Sequence, residues 1–263
     1  MMALTFGFGA LENEFWRMLF VMTRIGAALL AAPLFGAGPV PPQVRVSLAG
    51  AIAVMVCAWT PVAAPPALLS LPGMLTVANE ALIGLSLGFV LQWSFAAPVI
   101  AAEIIGGAMG MSIATASDPV SGGNSPALGQ YFSVLLTVLF FGLGAHLSWL
   151  SLVIESYQTF PPGTAWLTPG RLELITGFGA QMLVCAVSIA LPVTLILLLV
   201  QILTGIISRS APSLNLFALG LPAGVLTGLA ALVVTAPLLT DRLTDLSTAA
   251  VGQVGALLTK PNG

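Results

Sequence analysis

A chain of 263 residues with 58% hydrophobic and 6% charged residues and a mean hydropathy of +1.06 is far from a soluble domain, which carries roughly 25% charged residues. Its length suffices for about six helices of the roughly 20 residues needed to cross hydrocarbon, so the expected class is all-α and polytopic, surrounded by membrane lipid and without a sizeable soluble domain. A net charge of −2 with no run of Lys or Arg excludes a footprint for nucleic acid or for acidic headgroups.

The N-terminal MMALTFGFGALENEFWR has no basic residue before Arg17, so it lacks the positive region of a cleaved signal and the first helix is expected to stay. Apolar segments follow at about 15–35, 44–61, 74–102, 128–154, 174–207 and 214–239, predicting about six helices. Turn chemistry separates them: FGAGPVPPQ at 35–43, a proline cluster at 61–72, TFPPG at 159–163 and SRSAP at 208–212. Pro98, Pro192 and Pro237 fall within or at the ends of helices, where each removes a donor and is expected to kink or terminate the helix. Gly84 with Gly88, and Gly220, Gly224 and Gly228, put small residues on single helix faces, suited to close helix packing or to contact with another subunit.

Arg17 and Arg24 lie on nearly one face of the first helix. A charge at a lipid-exposed helix centre costs roughly 2.5–3.5 kcal/mol, so the pair argues for a protected face. Arg17 is expected to reach the interface and Arg24 to meet a carboxylate, Glu80 or Glu103, with contact to a substrate as the alternative. Glu80 and Glu103 bracket the third helix across an uncharged run of about 33 Å at 1.5 Å per residue, and read as helix-end or inter-subunit charges. Arg45 and Arg209 fall on one side and Arg171, Arg242 and Lys260 on the other, too even a split to fix orientation.

No catalytic constellation is present. His146 is the single histidine, with no carboxylates or thiols at ligand spacing, and reads as a packing residue, so no metal and no cofactor is expected. Cys57 and Cys185 sit in apolar surroundings as small core residues. Neither GGAMGM nor SGGNS follows a strand or carries the lysine of a phosphate loop, and no nucleophile has a base beside it. The informative stretch is EIIGGAMGMSIATASDPVSGGNSPALGQ at 103–130, rich in Gly and Ser between two of the most apolar segments. Its backbone polar groups need protein or cavity water at membrane depth, which points to a pore, a gate or a site. A secondary transporter or channel for a small solute, built from broken helices, is compatible with the same features.

Four segments in order, RIGAALLAAPLFGAGPVPPQVRVSLA, NEALIGLSLGFVLQWSFAAPVIAAEIIGGAMGMSIATASDPVSG, FFGLGAHLSWLSLVIESYQTFPPG and GIISRSAPSLNLFALGLP, resemble the FliR family of flagellar export-gate proteins and its counterparts in type III secretion. The resemblance implies a non-enzymatic export-gate component in the bacterial inner membrane and flagellar basal body. Its partners would be FliP and FliQ in the core complex, FlhB and FlhA, and unfolded flagellar subunits in transit. It implies one FliR-like domain over 1–263: a FliP-like part of four helices at about 15–155, a FliQ-like hairpin at about 172–240, and a C-terminal tail at 241–263. It also implies a pore plug at 109–126, carried by Met109, Gly110, Met111, Ser112, Asp118, Pro119, Gly122, Gly123 and Asn124, with Asp118 and Pro119 as the matching motif. Arg209 would lie near the entrance and FlhB, contacting a neighbour or capping a helix C-terminus. Ser213 departs from the glutamine usual in this family, which leaves the tip of the last hairpin less defined.

Overall fold

A computed structural model describes residues 10–36, 40–60, 62, 70–111, 127–164, 166, 168–210 and 216–259. Among them the chain is all-helical: α1 (Ala10–Ala31), α2 (Pro42–Trp59), α3 (Leu71–Ala108), α4 (Ala127–Gly142), α5 (Ala145–Thr159), α6 (Pro169–Ser210) and α7 (Leu216–Leu258). α2 opens with Pro42 at its first position, where a missing N–H costs nothing. The α3 start is capped by the Ser70 hydroxyl, which accepts from the Gly73 amide at 3.2 Å.

Among the described residues four helices are long and apolar enough to cross a membrane, and α4 with α5 makes a fifth if the pair is one span. The predicted fourth segment is two helices because Gly144, at φ +69°, takes the left-handed conformation between them. At 1.5 Å per residue α3, α6 and α7 run about 57, 63 and 65 Å, roughly twice the ~30 Å of a hydrocarbon core. Pro98, Pro192 and Pro237 all lie inside continuous helices and terminate none of them. The stretch from 241 to 258, expected as a tail, is the last part of α7.

The chain forms two compact units: Met1–Trp93 with Gly144–Phe178 and Ala250–Gly263, and Ser94–Leu143 with Gly179–Ala249. In the first, α1 buries Phe20, Val21, Ile25, Ala28 and Leu29, and α5 buries Trp149, Val153 and Tyr157, each set at helical spacing. α1 and α3 meet at backbone contact, because a Cβ at Gly84 would strike the Arg24 carbonyl and one at Gly88 the Ala28 carbonyl. In the second unit, Phe95 and Phe140 pack edge to face at 5.4 Å, and Ala186, Ile189, Ala190, Val193 and Leu197 form the buried stripe of α6. The opposite face of α6 is apolar but exposed, from Leu183 and Val187 through Leu191, Leu195 and Leu199 to Ile202 and Ile206.

Candidate functional site: a buried charge node and the end of α3

Two groups of residues carry the chain's unusual chemistry, one in each unit. In the first, Arg24 is fully buried in the middle of the apolar stripe of α1. Its Nε and Nη2 donate to Glu80 Oε2 and Oε1 at 2.8 and 2.9 Å, a two-pronged pair with neither side chain exposed. Nη1 donates to the Ser156 carbonyl at 2.7 Å and its hydroxyl at 3.0 Å, and Nη2 also reaches the Phe160 carbonyl at 2.9 Å. Every guanidinium N–H therefore has an acceptor. Tyr157 lies under the guanidinium at 4.2 Å and donates its hydroxyl to the Val21 carbonyl. The node thus ties α1, α3 and α5 together, and Trp149 adds an indole N–H to the Leu87 carbonyl at 3.2 Å. Its polar atoms are saturated and shielded, so the arrangement holds helices rather than turning over a substrate.

Around it, Arg17 is part-buried and donates to the Cys57 and Thr60 carbonyls at 2.7 and 2.9 Å, closing the C-terminal end of α2, while pairing with Glu14 at 3.2 Å. Arg171 is buried as well, over the Phe160 ring at 4.3 Å and donating to the Trp166 carbonyl.

In the second unit, α3 ends where Gly110, at φ +83°, takes a left-handed turn after Ala108. Gln201 of α6 donates Nε2 to the Ala108 carbonyl at 2.8 Å. Met109 is buried against α7: a Cβ at Gly224 would sit 2.9 Å from its carbonyl oxygen, and one at Gly228 2.5–2.8 Å from Cγ, Cε and Sδ.

Of the residues singled out from sequence, the structure brings Arg24 to Glu80, not Glu103, which is exposed on α3. Gly84 and Gly88 take α1, and Gly224 and Gly228 take Met109, whereas Gly220 has open space around it. Arg209 is exposed in the last turn of α6. Met109, Gly110 and Met111 are described, and Ser112, Asp118, Pro119, Gly122, Gly123 and Asn124 lie outside the described residues. Among the described residues no group of three or more His, Cys, Asp or Glu is placed to hold a metal ion. Sequence reasoning passed over Ser156, Tyr157, Phe160 and Gln201. The available signal was the unmet need of Arg24 for several acceptors and of the α3 end for a donor.

Residues 15–250 match the family described as bacterial export proteins, family 1. The chain is 32% identical to flagellar biosynthetic protein FliR of Escherichia coli K12, over 87% of this chain and 86% of the relative. It is 33% identical to FliR of Bacillus subtilis 168, over 82% and 84% of the two chains. To the surface presentation of antigens protein SpaR of Salmonella typhimurium LT2 it is 31% identical, over 72% and 71%. With that match spanning nearly all the helices described above, the chain belongs to the bacterial export proteins, family 1, the family that holds the flagellar FliR proteins.

Proposed function

We propose that this chain is a non-enzymatic component of the flagellar type III protein export gate, set in the bacterial inner membrane at the flagellar basal body. It assembles with FliP and FliQ into a protein-conducting pore that the 109–126 loop closes, with FlhB and FlhA as further partners. The observation that carries this reading is the likeness to FliR proteins over more than four-fifths of both chains. Supporting it, several helices far exceed a bilayer's thickness and leave long apolar faces outward, as expected of a part that packs among similar subunits. In this reading about 15–155 is the FliP-like part and about 172–240 the FliQ-like hairpin. Energy for transport comes from partner proteins.

Small residues suit the loop to crowding around a narrow axis, and Met109 and Met111 add adaptable bulk at its start. Deletion of residues 112–126 is expected to leave co-purification with FliP and FliQ intact while making the membrane leak small ions, measured as growth inhibition in sodium or as conductance in bilayers. An ion-tight deletion strain refutes the plug role.

A further inference from the structure

The end of α3 is attached to the last helical hairpin at two points, one polar and one apolar. The Ala108 carbonyl, one of the four that a helix C-terminus leaves without an internal partner, takes the Gln201 side-chain amide of α6. The next residue, Met109, is 3% exposed and fills the space over two glycines of α7 one helical turn apart. Its backbone carbonyl occupies the place of a side chain at Gly224, and its thioether the place of one at Gly228. Neither glycine tolerates a Cβ without movement. At Gly224 the obstacle is backbone, at Gly228 a flexible side chain. Gly110 follows in a left-handed backbone conformation that other residues adopt at a cost.

We propose that Met109 is an intramolecular key seated in the Gly224–Gly228 notch. It makes the end of α3 and the α6–α7 hairpin one mechanical body, so that the hairpin cannot slide along α3 without unseating the thioether. An unbranched side chain with three torsions suits a contact that must open and re-form, and the Gln201 bond sets the register of the seat. The consequence for export rests on the gate reading, because there the closing loop starts at Met109. The contact itself does not rest on it.

The test is a cysteine pair, Met109→Cys with Gly228→Cys, in the full chain carrying Cys57→Ser and Cys185→Ser, in native membranes with its assembly partners. Copper–phenanthroline oxidation is expected to abolish labelling of both thiols by a maleimide, and to stop export until reductant is added. Thiols that stay reactive after oxidation overturn the seat, and a cross-linked chain that exports at the uncross-linked rate overturns the need to open it. A second measurement uses no new cysteine: Gly228→Ala raises ion leak in the wild-type background and adds nothing in a Met109→Ala background. Independent, multiplying effects overturn the key. Thiol labelling reads the contact whatever the chain exports, so failure of the gate reading, seen as an ion-tight 112–126 deletion, is distinguishable from failure of the key.

Discussion

Arg24 uses five donors inside the protein, and removing its carboxylate partner leaves a buried cation without a counter-charge. Glu80→Ala and Arg24→Ala are each expected to destabilise the fold by about 3–5 kcal/mol, read as loss of chain from the membrane and a lower melting temperature in detergent. Arg24→Lys fails almost as badly, because an ammonium cannot form the two-pronged pair or reach the remaining carbonyls. Arg24→Met with Glu80→Leu removes both charges and recovers part of the loss. At this scale the sequence was partly legible. The cost of a lone charge in an apolar window says that Arg24 needs a carboxylate. It does not say that Ser156 and Phe160 supply carbonyls, because every residue has a carbonyl and only the fold decides which ones point inward.

The helices themselves show how much a pattern can say about an element. Apolar runs covered every described helix, though they merged α4 and α5 into one, and the glycine pair at 84 and 88 was legible as a close-packing face. Gly88→Val is expected to push α3 off the α1 backbone and cost about 1–3 kcal/mol, whereas Gly26→Ala, with open space around it, is near silent; thermal unfolding of the purified chain checks both. Two boundaries were hidden for physical reasons. The break at Gly144 rests on one positive φ inside an apolar run that also carries Gly142, and isolated glycines in such a run are commonly tolerated within a helix. The continuation of α7 through 241–258 was hidden by its charges, Asp241, Arg242 and Asp245, which read as the end of a span. Their exposure on one side, with Leu243, Leu246, Ala250, Val254 and Leu257 buried on the other, marks an amphipathic helix instead.

For the molecule as a whole, the dominant property is apolar surface left outside, on α6 and on α7 at Leu226, Val233 and Val234. Lipid and a neighbouring subunit both suit such a surface, but they respond differently to added bulk. An enlarged side chain displaces lipid at little cost and blocks a close-packed subunit. If the proposed assembly is right, Val234→Trp leaves the amount of chain in the membrane unchanged and lowers its co-purification with FliP and FliQ severalfold. An undiminished complex would assign that face to lipid. The sequence could show that the surface is greasy but not what covers it, because apolar periodicity is the same for either neighbour.

The charge node also dictates a timetable. Arg24 is made early, but Glu80 follows 56 residues later and Ser156 132 residues later. At roughly 5–20 residues per second, its last acceptor, the Phe160 carbonyl 136 residues on, emerges about 7–27 seconds after the arginine does. During that interval α1 carries an unpaired arginine, which costs roughly 2.5–3.5 kcal/mol if it faces lipid. Full burial of the first helix therefore waits on the fifth, whose Ser156 supplies acceptors that complete the shell of Arg24.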